Sequence, residues 1–357
     1  MTGPVQTSAP GKLVLIGEYA VLFGAPAVVI AVNRRARVEL VSSAGGRWSF
    51  TAPGLAAEPA DLELGANGDL SWLGDTATAR RHFGLVERLL NGLTEAGIIE
   101  PRALPPPQAT LDTRAFFHGS GDDRKKLGLG SSAALTVALA SALLEWAGEE
   151  SPPDPVWLRA LVDLHRGMQG GLGSGIDVAA SLLGGVVRYQ LKGLGSEPTA
   201  AALPLPEDLH MLCIWTGRPA STGDLLARLE ASRKEDPQAV EQALGRLSEV
   251  SVEGVGALEG GRSVDFLDAV DVFWDALENL GCEVGLPILS DEHRRLHRLA
   301  RECETRYKPS GAGGGDFGLA FATDPGLTAL MAARATADGF NVLDLQVDPV
   351  GLCSQVV

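Results

Sequence analysis

Lys126-Leu-Gly-Leu-Gly-Ser-Ser-Ala-Ala134 runs directly into Leu135-Thr-Val-Ala-Leu-Ala-Ser-Ala-Leu-Leu-Glu-Trp146. The second part is rich in Ala and Leu and predicts a helix. The first part has almost no side chains to hold a ligand away from its backbone. A small-residue loop feeding a helix N-terminus presents free N–H groups and the positive end of the helix dipole, which suits an anion and above all a phosphate. A close-packed helix start is the plainer reading of the same residues. Gly128-Leu-Gly-Ser-Ser-Ala133 also fits the G-x-G-x-x-A form of a dinucleotide fingerprint. That fingerprint directly follows a buried strand and needs an acidic residue closing the next one. Here Asp122-Asp-Arg-Lys-Lys126 precedes it, and Glu149 and Glu150 close a helix instead. No G-x-x-x-x-G-K-[ST] is present, which excludes a Walker-type loop.

The 357 residues, 45% of them hydrophobic, suffice for a large core and two domains. A formal charge of -15 argues against a nucleic-acid partner. Cys213, Cys282, Cys303 and Cys353 have no C-x-x-C spacing, so neither a disulfide framework nor a zinc site is expected. Met-Thr-Gly-Pro-Val-Gln-Thr at the N-terminus has no basic and apolar leader pattern, and no apolar run of about 18 residues exists. A cytoplasmic protein with no membrane partner is the expectation.

Along the chain, residues 12–23, 26–32 and 36–41 are apolar and rich in β-branched residues, and predict strands. Helical periodicity covers 79–98, with Leu85, Leu89, Leu90 and Leu93 on one face, and resumes over 131–148 and 156–168. A Gly, Ser and Pro-rich stretch at 194–207 marks a domain boundary. Beyond it come a strand at 209–215, helices near 222–233, 236–259, 263–279, 290–306 and 326–338, and a closing strand from Asn341 to Val347. Two more glycine-rich stretches stand out: Gln169-Gly-Gly-Leu-Gly-Ser-Gly-Ile-Asp177 and Lys308-Pro-Ser-Gly-Ala-Gly-Gly-Gly-Asp316. So many small residues are costly to order, and a ligand justifies them better than a surface turn does. Lys12 sits at the mouth of an apolar strand, where a solvated edge lysine is the plain reading. Asp177 opens a run of small apolar residues and is either an ordinary helix cap or a carboxylate in need of a partner. His293 and His297, among Arg294, Arg295 and Arg298, read as a solvated basic face rather than a metal site.

Three motifs in order, Ala9-Pro-Gly-Lys-Leu-Val-Leu-Ile-Gly-Glu-Tyr-Ala20, Lys126 to Ala134 and Lys308 to Gly318, resemble those of the GHMP kinase superfamily and span nearly the whole chain. Gly-Glu-Tyr in the first motif, the 169–177 stretch, Trp215-Thr-Gly-Arg-Pro-Ala-Ser-Thr222 and the terminal Asp316 resemble the phosphomevalonate kinase branch, with mevalonate kinases next. The resemblance implies an α+β, two-domain GHMP kinase fold. An N-terminal, ribosomal-protein-S5-like, ATP-binding domain would cover 1–195, and a ferredoxin-like domain 196–357. It implies Lys12 and Asp177 as the catalytic pair. ATP would lie on Lys126, Gly128, Leu129, Gly130, Ser131, Ser132 and Ala133, with Mg2+ near Ser132. It implies a small-molecule acceptor, a phosphorylated mevalonate-type acid, bound by Glu18, Tyr19, Ser174, Gly175, Arg218, Ser221, Thr222, Gly311, Ala312 and Gly313, in a monomer or homodimer. One departure is visible. Mevalonate-type enzymes place a Glu some eleven residues before the catalytic Asp as a metal ligand. Here the region reads Asp163-Leu-His-Arg-Gly-Met168, so Asp163 is the substitute, or ATP and water hold the ion. An unphosphorylated mevalonate acceptor, a decarboxylase and a non-catalytic sensor are the alternatives. The decarboxylases lack a lysine at the position of Lys12, and a sensor would lack the Lys12–Asp177 pair.

Overall fold

The structure is a computed structural model that describes residues 3–356 other than 56–57, 66–68, 120, 153, 172 and 194–195. The N-terminal half contains β1 (Val5–Ile16), β2 (Ala27–Ser42), β3 (Trp48–Thr51), β4 (Ala60–Leu64), β5 (Leu70–Trp72), α1 (Thr76–Glu95), β6 (Pro107–Asp112), β7 (Phe117–His118), β8 (Lys125–Lys126), α2 (Ser131–Trp146), α3 (Asp154–Met168), α4 (Ile176–Leu183), β9 (Val186–Gln190) and β10 (Thr199–Ala202). The remainder contains β11 (His210–Trp215), α5 (Thr222–Glu235), α6 (Pro237–Glu259), α7 (Ser263–Glu283), α8 (Asp291–Glu302), β12 (Arg306–Ser310), β13 (Phe317–Ala322), α9 (Pro325–Ala337), β14 (Asn341–Leu343) and β15 (Cys353–Val356).

Among the described residues two main sheets form. The first runs β10-β9-β2-β6-β3-β4-β5, with β1 on β2 and β15 on β1; the second is antiparallel in the order β12-β13-β11-β14. β1 and β2 divide two apolar cores. Their alternating side chains send Leu13, Leu15, Val28, Ile30 and Val32 into one core and Val14, Ala27 and Val29 into the other. Strands buried on both faces are continuous apolar runs, which is what Ala27–Val32 is. Helix α2 packs on both strands and is buried around nearly its whole circumference, so its Ala-rich composition is that of a central helix.

The division expected after residue 195 meets a more tangled chain. Gly195 itself lies outside the described residues, and both β10 and β15 belong to the first sheet. The helix read over 290–306 stops at Glu302, because the residues from Arg306 onward pair with β13. The closing strand stops at Leu343; the chain then bridges Val347 to Val32 and returns as β15 to pair with β1.

One buried ion pair ties the halves together. Glu18, just beyond β1, accepts from Lys308 of β12 at 2.5 Å, and their side chains are 2% and 0% exposed. Burial pulls the Lys308 ammonium below its ordinary range, while Glu18 draws it back up. Removing one partner would leave a buried charge uncompensated. Lys308→Met should therefore lower unfolding free energy by about 3–5 kcal/mol, read from urea denaturation. A loss below about 1 kcal/mol, the size of an exposed pair, would contradict this.

Candidate active site

The site grows out of β1. The Lys12 N–H donates to the carbonyl of Leu129 at 2.9 Å, which fixes the strand to the small-residue loop before α2. Gly11 permits this approach, since a Cβ there would overlap Leu129 O. Past Ile16 the chain turns sharply at Gly17 and Glu18, and Tyr19 adopts φ 60°. That conformation is costly for a non-glycine residue. It carries the Tyr19 hydroxyl to the carbonyl of Ala312 at 2.5 Å. Burial and the neighbouring Glu18 push the phenol well above its ordinary range, so it stays a hydrogen-bond donor.

A cavity of about 440 Å³ opens between these segments. Lys12, Asp177, Glu18 and Tyr19 line it. Lys126, Gly128, Gly130, Ser131 and Ser132 supply the wall toward α2; Ser174 stands at α4, Ser221 and Thr222 at α5, and Gly311 and Ala312 on the third glycine loop. Lys12 and Asp177 flank Gly130, where a Cβ would lie 3.1 Å from Lys12 Cγ and 3.8 Å from Asp177 Cβ. No ion pair within 4 Å joins Lys12 to Asp177 among the described residues. The Asp177 carboxylate instead accepts from the Val178 N–H at 3.1 Å, in the first turn of α4, where the helix dipole favours negative charge. Buried His165 stands behind it, with Nδ1 3.9 Å from Asp177 Oδ1. The Gln169 amide nitrogen meets His165 Nε2 at 3.3 Å.

Several expected residues do not reach the cavity. Asp163 projects from the exposed face of α3, bonded to Arg159 at 2.9 Å; two positions further along the helix, His165 is the one turned inward. The assignment of Asp163 to a metal is thereby corrected. Arg218 is exposed and is not among the cavity-lining residues; its carbonyl accepts from the Asp316 N–H at 2.7 Å. Leu129 and Ala133 are fully buried supports. Gly175 and Gly313 serve as close-approach points, where a Cβ would overlap Val162 and Ile288 respectively. Leu172 of the 169–177 stretch lies outside the described residues.

Sequence reasoning missed three side chains. Asp316 lines the cavity at φ 55°, with its carboxylate against Gly128, where a Cβ would overlap it. A lone non-glycine residue ending Gly311-Ala-Gly-Gly-Gly315 is the signal that could have found it. Gln169 also lines the cavity. His293 is not on a solvated face. It is fully buried, with Nδ1 2.8 Å from Tyr307 Oη and Nε2 2.9 Å from the carbonyl of Gly315. The carbonyl requires an N–H at Nε2, and burial holds the imidazole neutral, down to about 4. His297 stacks on Trp274.

The donors suit Mg2+ brought in by a nucleotide. Ser132 and Asp177 offer hard oxygens, while among the described residues no three His, Cys, Asp or Glu side chains gather into a metal cage.

An α+β frame whose cleft is built from glycine loops and helix N-termini has the chemistry of a phosphate site. The sequence pattern of the GHMP kinase N-terminal domain matches residues 114–185. The chain is 29% identical to a phosphomevalonate kinase of Streptomyces sp. (strain CL190), with 96% of each chain covered. It is 30% identical to mevalonate kinase of Bos taurus, over 69% of this chain and 67% of that one. In fold it superposes on Streptococcus pneumoniae phosphomevalonate kinase in complex with phosphomevalonate and AMPPNP, with a TM-score of 0.76 at 21% identity, covering 96% and 99% of the two chains. The chain belongs to the GHMP kinase family and is a phosphotransferase.

The cleft's electrostatics make a checkable statement about pH. Burial raises the Asp316 carboxyl to about 6, against the opposing pull of the Ala220 N–H, Lys12 and Lys126. The folded protein thus holds a proton that the unfolded chain releases near pH 4. The stability that this group contributes falls as pH rises from about 4 to about 6, by about 3 kcal/mol. Asp316→Asn, which mimics the neutral form, should melt at higher temperature than the parent at pH 8 and lose that advantage by pH 4. An equal difference at both pH values would refute the assignment.

Proposed function

We propose that this enzyme transfers the γ-phosphoryl group of ATP to 5-phosphomevalonate, giving the 5-diphosphate. One observation carries the reading. Three helix N-termini face one cavity: α2 at Ser131 and Ser132, α4 at Ile176 and Asp177, and α5 at Ser221 and Thr222, with Lys12 and Lys126 on the same walls. A helix start is a ready-made site for a phosphate. The α4 start already carries its own Asp177 carboxylate; the α2 and α5 starts, with two ammonium groups, suit a triphosphate and a second phosphorylated molecule together. The similarity to the Streptomyces phosphomevalonate kinase, along nearly the full length of both chains, supports the same choice.

In this reading the 128–133 loop and Ser132 hold the nucleotide phosphates. Mg2+, when bound with ATP, neutralises charge on the β- and γ-phosphates. Lys12 places a point charge where the transferring group becomes most negative. Ser174, Ser221 and Thr222 orient the acceptor phosphate. The apolar patch of Val14, Val21, Leu22 and Leu226 takes its hydrocarbon portion. Glu18 Oε2 is buried and has no hydrogen-bond partner among the described residues.

A phosphate monoester has its second pKa near 6 and is largely ionised at pH 7. No strong base is then needed, and Asp177 acts chiefly to orient the nucleophile. Lys12→Met should cost about 10²–10³ in single-turnover rate and Asp177→Asn about tenfold less; equal losses would return Asp177 to the role of base. The acceptor itself is settled by ADP release with Mg-ATP and either mevalonate or 5-phosphomevalonate. Turnover of 5-phosphomevalonate is the expected result, and turnover of mevalonate alone would overturn the proposal.

A further inference from the structure

Asp316 is a meeting point of main-chain bonds. Its N–H donates to Arg218 O at 2.7 Å, its carbonyl accepts from Thr216 N–H and Thr216 Oγ1 at 2.9 Å each, and its Oδ1 accepts from the Ala220 N–H at 3.2 Å. The preceding residue is held from behind by His293 at the Gly315 carbonyl. On its other side the carboxylate lies against Gly128. The backbone is left-handed, at φ 55°, where glycine would be the least strained choice. Aspartate is one of the few side chains that visits this region, and here its carboxylate is used on both sides. Gly128 lies three residues before α2, and Ala220 lies two residues before α5. One carboxylate therefore spans the two segments that lead into these helix N-termini.

We propose that Asp316 is a positioning residue that sets the separation between the α2 and α5 N-termini, and so the distance between donor and acceptor phosphates. This rests on reading the cleft as a site for two phosphorylated molecules. The two sides are not equally dependent on it. The 128–130 loop has its own anchor in the bond from Lys12 N–H to Leu129 O. The Ala220 N–H is held by Asp316. The main-chain bonds of residue 316 to Thr216 and Arg218 survive loss of the carboxylate, so the change on the acceptor side is confined to Ala220 and the α5 start that follows it. Asparagine keeps an oxygen in the Oδ1 position and tolerates the left-handed backbone. Glycine relieves the backbone but loses the bond.

Asp316→Gly and Asp316→Ala should raise the KM for the acceptor at least about tenfold, with the KM for ATP within about threefold. Asp316→Asn should give less than a third of that acceptor effect. Amide exchange at Ala220, measured without substrate, should quicken at least about tenfold in Asp316→Gly and stay near the parent rate in Asp316→Asn. Should Asp316→Ala fold poorly, Asp316→Gly carries the comparison. Unchanged exchange in Asp316→Gly, or an Asp316→Asn variant as impaired toward the acceptor as Asp316→Gly, would overturn the proposal. If the parent enzyme leaves 5-phosphomevalonate untouched, the functional reading fails, and the exchange measurement still decides whether Asp316 holds Ala220.

Discussion

Lys308 and Glu18 stand 290 positions apart in the chain and meet at 2.5 Å with almost no access to water. Desolvating two charges costs several kcal/mol per ion, and a pair of apolar side chains would serve stability as well or better. The pair's value is directional. Lys308 Nζ also donates to the Pro309 carbonyl at 2.6 Å, and Glu18 Oε1 also accepts from the Gly311 N–H at 3.2 Å. Four groups from the Gly-Glu-Tyr turn and the third glycine motif thus share one geometry. A slip of either segment would break several charge-assisted bonds at once.

β1 extends the same logic along its length. Lys12 bonds to the second glycine motif; Val14 exchanges two bonds with the Ser310 hydroxyl, at 2.9 and 3.1 Å; Tyr19 reaches Ala312. Within eight positions the strand is fastened to both loops that enclose the cleft. The backbone from which the Lys12 side chain enters the cleft is thereby fixed by main-chain bonds. Pre-organisation of this kind suits phosphoryl transfer, where alignment and charge placement matter more than covalent assistance.

Much of this was legible in the sequence, and the exceptions have physical reasons. The small-residue loop and Ala-rich helix at Lys126–Trp146 announced themselves through local preferences alone. The order of three glycine motifs located the fold, and Lys12, Asp177 and Ser132 came together as that order implied. Asp163 misled because its sequence neighbourhood fits a ligand, while helix rotation gives the inward position to His165. His293 was hidden by the charge around it. Yet His293, Leu296 and Ala300 recur at helical spacing and form the buried stripe of α8. The Glu18–Lys308 pair and the bond from Asp316 to Ala220 could not be read at all. Each joins segments that only the finished fold brings together.

The strand that closes the first sheet has a further consequence, for synthesis. β15 pairs with β1 in the register Val5 with Val356, about 350 positions apart. Arg35 of β2 bonds to the carbonyls of Val350 and Gly351 in the same returning segment. At ~5–20 residues per second, a ribosome takes about 20–70 s to deliver the partner of β1. Throughout that interval β1 presents an unpaired backbone edge, the kind of surface on which strands of other chains assemble. The last strand made thus covers an edge at Val5–Ser8 that the first strand has held open throughout synthesis.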